Sequence, residues 1–492
     1  MSYEIPRLVM AAVSSGSGKT TVVTGLLSAL RNQGIKVQSY KIGPDYIDPG
    51  YHRLASGRPA HNIDTWLMSK ETMVNTFIDT AQNMDVAIIE GVMGLYDGGR
   101  GGISSTAEIA RLLQAPVILV IDCKSMGASA AAIALGFREY AKDVNIAGVI
   151  LNRLGSENHQ KMIEEAMAGI GMPVLGAVRR DNLLTMPQRH LGLLPVEENQ
   201  DRQVVDAMGE AMGRQINLTA LLQIAHNASP MAKIPSQAEE YLQKVIVGRK
   251  RSFPDDFGKI KIGLAKDEAF SFYYPESLAV LERLGAQIVP FSPLQDRALP
   301  DVDGLLIGGG FPEMFASQLE ANKSMLAAIA KAASQGMPIF AECGGYMYLG
   351  QCLKDFEGGI FNMTGILPQQ VQMNKKLQMV GYVEAELLQD CCIGQAGMKL
   401  KGHEFHFSAE IPGAGDVVGN RAFSFTRMRN NAVYPGGFVS DKGNVLGSYL
   451  HIHFAGCVEA ATAFVGSCWN YNISRQDKYS LKQVEKWESW SW

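Results

Sequence analysis

The chain has 492 residues, 47% of them hydrophobic and 19% charged, a globular composition with enough material for two or three packed domains. A net charge of -4 gives no overall basic field to gather a polyanion, so nucleic acid is not an expected partner. Its seven scattered cysteines fit neither a disulfide framework nor a zinc site. No stretch approaches the roughly 20 apolar residues of a membrane span, so the expected setting is a reducing cytoplasm with no membrane partner.

In chain order, short apolar runs alternate with helical patterns: LVMAAV, VTGLLSALRNQG, VQSYKIG, DVAIIEG, APVILVID and AGVILN. Alternation of this kind implies parallel strands in a doubly wound sheet. The pattern changes near Asn199, becomes mostly helical, and passes into the charged segment GRKRSFPDDFGK. A second alternation starts at KIKIGLAKD and continues through PESLAVLERLG, AQIVPF, DGLLIGGG and PIFAECGG. The expected fold class is therefore α/β, with two doubly wound domains. The expected boundaries are 1–240 for the first domain, 241–258 for a linker, 259–465 for the second domain and 466–492 for a tail.

The segment VSSGSGKTT lies between an apolar strand and a helical run, the context a phosphate loop requires. Gly16 and Gly18 let backbone N–H groups close on phosphate oxygens, with Ser17 and Thr21 in the same loop. Lys19 reaches the outer phosphates, and Thr20 offers a hydroxyl to Mg2+. Val13 stands where the usual spacing has its first glycine, so the loop is a variant. Ligands of open α/β sheets collect at the carboxyl ends of strands, which adds Lys41 and Glu90 to the same mouth. Glu90 is a magnesium candidate and Asp64 a weaker one, each with helix capping as its plain alternative. The loops KIGPDYIDPGYH and EGVMGLYDGG bring Asp45, Tyr46, Asp48, His52 and Asp97 toward the end of the triphosphate. There they are read as orienting an acceptor carboxylate and incoming ammonia, with turn chemistry as the alternative for Asp45 and Asp97.

In PIFAECGGYMYLG, Cys343 follows an apolar strand and precedes two glycines and a helical pattern. That is the sharp turn that exposes a nucleophile, and a helix N-terminus favours its thiolate. LGSYLHIHF supplies a base; His451 and His453 share strand parity, and His451 is preferred. Gly308, Gly309 and Gly310 offer consecutive N–H groups for an oxyanion.

On these motifs the chain resembles the cobyrinic acid a,c-diamide synthases along almost its whole length. Its front half is also similar to dethiobiotin synthetase, and its rear half to class I glutaminases. The resemblance implies an ATP- and Mg2+-dependent ligase that takes ammonia from L-glutamine. It would amidate the c and a acetate side chains of cobyrinic acid, or a related tetrapyrrole, through phosphorylated carboxylates. Asp45, Tyr46, Glu90 and Asp97 match family positions tied to that chemistry. Ile47 and His52 are assigned to the acceptor pocket, and Asn152 either reads adenine or acts as a cap. The usual His-x-Glu ending reads His451-Ile452-His453, leaving a Cys-His dyad for which Glu404 is a candidate assistant. Oligomeric state stays open, a homodimer being one state the resemblance allows. Two rivals remain open on sequence: a nickel-sirohydrochlorin a,c-diamide synthase, which would share every motif, and a P-loop ATPase carrying an inactive glutaminase-like module.

Overall fold

Runs of aliphatic residues long enough for a strand and flanked on both sides by helices are buried on both faces, which is how a parallel sheet reads. The computed structural model describes residues 2–181, 188–189, 192–193, 202–252, 260–411 and 420–476. It divides into two compact units, Met1–Pro235 and Ser236–Trp492.

The first unit is built on seven strands: β1 (Arg7–Ala12), β2 (Val37–Ile42), β3 (His61–Ile63), β4 (Val86–Glu90), β5 (Val117–Asp122), β6 (Ile146–Leu154) and β7 (Val174–Arg179). All pair in parallel, in the order β3-β2-β4-β1-β5-β6-β7. Helix α1 (Lys19–Asn32) leaves the end of central strand β1, and its Leu26, Leu27 and Leu30 are buried in one core with Met208 and Met212 of helix Arg202–Gln215. This packing fixes the loop between β1 and α1. Register places Lys41 beside Glu90 and Asp122 beside Asn152, so these polar side chains cluster at the carboxyl edge.

In the second unit, β8 (Ile260–Ala265), β9 (Ala286–Phe291), β10 (Gly304–Ile307) and β11 (Ile339–Glu342) form the parallel part of a ten-stranded sheet. The sheet continues through β12 (Met379–Leu387), β13 (Lys399–His406), β14 (Arg421–Arg427), β15 (Val433–Val439), β16 (Val445–Ser448) and β17 (His451–Ile452). Its order is β9-β8-β10-β11-β16-β15-β14-β12-β13-β17. β16 pairs in parallel with β11, whereas β12 to β15 and β17 are antiparallel to their neighbours. The two-domain α/β expectation agrees with this architecture. The antiparallel extension is an addition to it, because residues 379–439 carry strands with few helices between them.

Two segments differ from the sequence reading. The expected linker, 241–258, is helical as far as Ser252, within Gln237–Ser252. Glu239 and Glu240 stand in that helix's first turn, where acidic side chains oppose the positive end of the dipole, and Leu242 is buried. Residues 253–259 lie outside the described residues. The expected tail from 466 continues helix Val458–Gln476, which buries Cys468 and Trp469; residues 477–492 also lie outside the described residues. Among the described residues, no helix is long and apolar enough to cross a membrane, and all seven cysteines are free.

A Cβ at Gly345 would overlap the Ile307 carbonyl oxygen, a backbone atom of β10 that cannot swing aside. Gly345→Ala is therefore expected to destabilise the second unit by about 2 kcal/mol or more. The measurement is its urea midpoint; an unchanged midpoint contradicts this packing.

Candidate active sites

The loop after β1 contains Gly16 and Gly18, both in the left-handed region at φ 80° and 81°. Gly18 caps α1 without a side-chain hydrogen bond, so the first N–H groups of the helix are not closed off by a capping side chain. A side chain at Gly18 would also strike the Asn152 amide nitrogen. That nitrogen donates to the Ser17 carbonyl at 2.9 Å, so Asn152 braces the loop from β6. The contact is not a helix cap, since Asn152 donates to a carbonyl and lies within β6. Ser17 donates to Ser14 O at 2.8 Å, tightening the same loop. Lys19 is buried and donates to Met93 O at 3.3 Å. Burial, opposed by Glu90, lowers its pKa from the ordinary lysine value. Thr21 follows on the first turn of α1.

Beside this loop lies a charge cluster. The Thr20 hydroxyl donates to Glu90 Oε1 at 2.7 Å and lies 3.2 Å from Asp48 Oδ2. Lys41 Nζ donates to Asp48 and, at 3.0 Å, to Glu90 Oε1; Asp45 Oδ2 is 3.7 Å away. His52 Nε2 meets Glu90 Oε2 at 2.7 Å. Burial opposes the Lys41 ammonium, but Asp48 and Glu90 outweigh it and raise its pKa. Burial likewise opposes the Glu90 carboxylate, and Lys41 and His52 overcome it, holding its pKa down. Asp48 has the reverse balance: burial and then Asp45 push its carboxyl up to about 7 against the pull of Lys41. Asp48, placed by sequence among the acceptor-side residues, lies against Lys41 and Thr20. Its only signal in the sequence was its place in the loop after β2.

The remaining acceptor-side residues sit as follows. Asp45 Oδ1 accepts the Ile47 and Asp48 N–H groups at 2.9 and 3.1 Å, which starts helix α2 (Ile47–Ser56). Tyr46 is the N-cap residue of α2, and both Tyr46 and Ile47 are half-buried. His52, expected at the acceptor pocket, is instead fully buried against Glu90. Asp97 is exposed and accepts the Gly94 N–H at 3.1 Å in a tight turn. Asp64 Oδ1 accepts the Trp66 and Leu67 N–H groups at 2.7 and 2.9 Å and the Ser104 hydroxyl at 2.9 Å. That is the capping alternative for Asp64.

In the second unit, Cys343 joins β11 to helix Gly344–Leu349 with φ 47° and ψ -102°, a strained conformation for a residue with a side chain. Its N–H is held by Ser448 O of β16 at 2.7 Å. His451, on β17, is buried and interacts with Cys343, whose thiol donates to the Phe405 carbonyl oxygen at 3.8 Å. The His451 Nδ1 lies 3.8 Å from Glu342 Oε2. Burial disfavours the imidazolium, but Cys343 and then Glu342 outweigh it and raise the pKa to about 10. His403 of β13 stacks on His451 with ring centroids 4.8 Å apart, and its Nε2 bonds the Tyr274 hydroxyl at 3.0 Å. Burial, then the His451 charge, lowers the His403 pKa well below its ordinary value, so the stack holds one cation rather than two.

The other rear-unit candidates sit as follows. Gly308 cannot offer its N–H to an oxyanion, because it donates to the Tyr273 hydroxyl at 2.8 Å. Gly309 and Gly310 stay close to the nucleophile: a Cβ at Gly309 would lie 2.7 Å from His451 Cε1, and one at Gly344 would lie 3.1 Å from Gly310 N. His453 faces Glu276, with Nε2 3.7 Å from its carboxylate, and packs on Tyr274. Glu404 accepts the Tyr434 hydroxyl, and burial raises its pKa. The carboxylate nearest the His451 ring is Glu342, which stands before the cysteine rather than two residues after the histidine, where the family pattern has its acid.

A glycine-rich loop opening a helix at the end of a central parallel strand, with a strained cysteine against a buried histidine in a second unit, defines a nucleotide-binding glutamine amidotransferase. The signature of a CobQ/CobB/MinD/ParA nucleotide-binding domain matches residues 8–194, and that of a CobB/CobQ-like glutamine amidotransferase domain matches 261–457. A cobyrinate a,c-diamide synthase from Dehalococcoides mccartyi is 42% identical over 94% of this chain and 97% of its own length. One from Leptospira interrogans is 39% identical over 95% of this chain and 99% of its own. A hydrogenobyrinate a,c-diamide synthase from Streptomyces coelicolor is 41% identical over 94% of this chain and 98% of its own. The chain belongs to the cobyrinate a,c-diamide synthase family.

Replacing Lys41 leaves Asp48 and Glu90 buried without their cation. Lys41→Met is expected to cost about 3 kcal/mol of stability at pH 7, since breaking one side of a buried ion pair exposes the full penalty of the other. Without the lysine the Asp48 carboxyl, already raised to about 7, rises further and the depressed Glu90 carboxyl rises too, so the folded variant takes up more protons than wild type and the deficit shrinks as the pH falls. Denaturant melts of wild type and variant between pH 5 and 8 check this; a deficit that grows toward acid contradicts it.

Proposed function

We propose that this protein amidates the a and c acetate carboxylates of cobyrinic acid in cobalamin biosynthesis, using ATP and ammonia released from glutamine, in the cytoplasm. The observation that carries this reading is the Cys343–His451 contact in a chain that also holds a phosphate loop beside buried carboxylates. A plain P-loop ATPase with an inert rear module would have no use for an imidazolium held against a strained cysteine.

The Cys343 thiolate attacks the glutamine side-chain amide, and the N–H groups of Gly309 and Gly310 receive the developing oxyanion. His451, charged through neutral pH, gives its proton to the departing ammonia and then takes one from the water that cleaves the glutamyl thioester. In the front unit, Gly16, Ser17, Gly18, Thr20 and Thr21 hold the phosphates through the loop and the start of α1, and Lys19 reaches the outer ones. One oxygen of the acceptor carboxylate attacks the γ-phosphorus and ADP departs. Ammonia then displaces phosphate from the acyl phosphate, leaving the amide. Asp45, Tyr46, Ile47 and Asp97 belong to the acceptor side of this reaction.

The Glu90 and Asp48 carboxylates both accept from the Lys41 ammonium and from the Thr20 hydroxyl, so these oxygens gather where a cation would be held. Mg2+ fits there with Thr20 and Glu90 as its protein contacts, since that ion takes one or two carboxylates and shares phosphate oxygens. When bound it neutralises charge on the phosphates.

The test is the mass of the products formed from cobyrinic acid and from hydrogenobyrinic acid with ATP, Mg2+ and glutamine. Two successive carboxylate-to-amide changes on cobyrinic acid are expected, and Cys343→Ala should abolish those that depend on glutamine. Preference for the metal-free ring would overturn the choice of macrocycle, and no amide on either ring would overturn the function.

A further inference from the structure

We propose that Glu342, the residue immediately before the nucleophile, is the positioning carboxylate that orients His451 in glutamine hydrolysis. The inference rests on the glutaminase reading above and adds to it the member that the sequence pattern leaves vacant two residues after the histidine. A Cys-His pair in a glutaminase needs its imidazole fixed in one tautomer, with the nitrogen remote from sulfur carrying hydrogen. An anion facing that nitrogen does this.

Three features place Glu342 in the role. Its Oε2 lies 3.8 Å from His451 Nδ1, a charge-pair distance that closes to a hydrogen bond with a small side-chain shift. Its other oxygen, Oε1, accepts the N–H of Ile452 at 2.9 Å, so the backbone beside His451 anchors the carboxylate. The residue is 7% exposed and ends β11, whose next residue makes the strained turn at Cys343. One short segment thus supplies the nucleophile and the group that aims its base.

The other titratable groups around His451 do not fill this role. His403 is stacked face to face at 11° between planes, a geometry that offers no in-plane hydrogen bond to either ring nitrogen. Glu404 is engaged with Tyr434, and its Oε1 is 3.9 Å from His406 Nε2. His406 bonds Ser408 O at 2.7 Å and stacks on Tyr449. Cys343 is the partner on the catalytic side. Glu342 also contributes to raising the His451 pKa, behind the larger effect of Cys343.

Glu342→Gln is the discriminating variant because its amide oxygen still accepts the Ile452 N–H while the charge disappears. The measurement is the pH profile of glutamine hydrolysis for wild type, Glu342→Gln, Glu342→Asp and Glu404→Gln, with thermal melts to confirm folding. The expected result for Glu342→Gln is a kcat loss of roughly 10- to 1000-fold, with KM for glutamine little changed. Its alkaline limb should move to lower pH because the imidazolium is less stabilised, and Glu342→Asp should recover part of both effects. Glu404→Gln should leave the limb where it is. A folded Glu342→Gln with wild-type kcat and limb overturns the proposal, as does a limb that moves only in Glu404→Gln. If wild type itself hydrolyses no glutamine, the underlying function fails instead.

Discussion

Each unit ends a central parallel strand on a buried carboxylate, and that carboxylate has to be met by positive charge. Glu90 closes β4 and is met by Lys41 and His52; Glu342 closes β11 and is met by His451. A buried anion without such a partner would protonate or unfold its surroundings. The constraint decides what the neighbouring segments do. In the first unit it draws the Thr20 hydroxyl and the Lys41 ammonium to one place beside the phosphate loop. In the second it holds an imidazolium against a cysteine.

The parallel sheets explain why these groups meet at all. Strands in parallel register deliver their last residues to one edge, so Lys41 and Glu90 become neighbours although 49 positions separate them. β11 and β16 do the same, pairing Glu342 with Ser448 and placing the turn to His451 next to the turn at Cys343. Ordinary packing elsewhere, such as α1 against helix Arg202–Gln215, keeps the loops at these edges from drifting. Strain at Cys343 persists because β11 and β16 hold the turn from one side and the closely packed Gly344 and Gly345 from the other.

Much of this was legible in the sequence where a local pattern carries the chemistry. The Gly-Lys-Thr-Thr junction and the Glu-Cys-Gly-Gly turn each contain their own strand, turn and helix, so position along the chain gives position in the fold. The five strands from residue 379 to 439 and 451 to 452 that extend the second sheet were not legible, because the strand-then-helix alternation that marks the parallel part is missing there. Contacts between distant segments also gave the Gly308 N–H to Tyr273 and set His453 against Glu276. Residues at 241–252 read as a linker because their charges are conspicuous. Residues up to 252 are nonetheless helical, and Leu242 is buried.

The central claim is that a carboxylate is activated by phosphorylation before ammonia attacks it. The most direct measurement uses cobyrinic acid labelled with 18O in its carboxylates, in a complete reaction with ATP, Mg2+ and glutamine, followed by mass analysis of the released phosphate. Transfer of one labelled oxygen to phosphate for each amide formed is the predicted result. Amide formation with unlabelled phosphate would contradict the account.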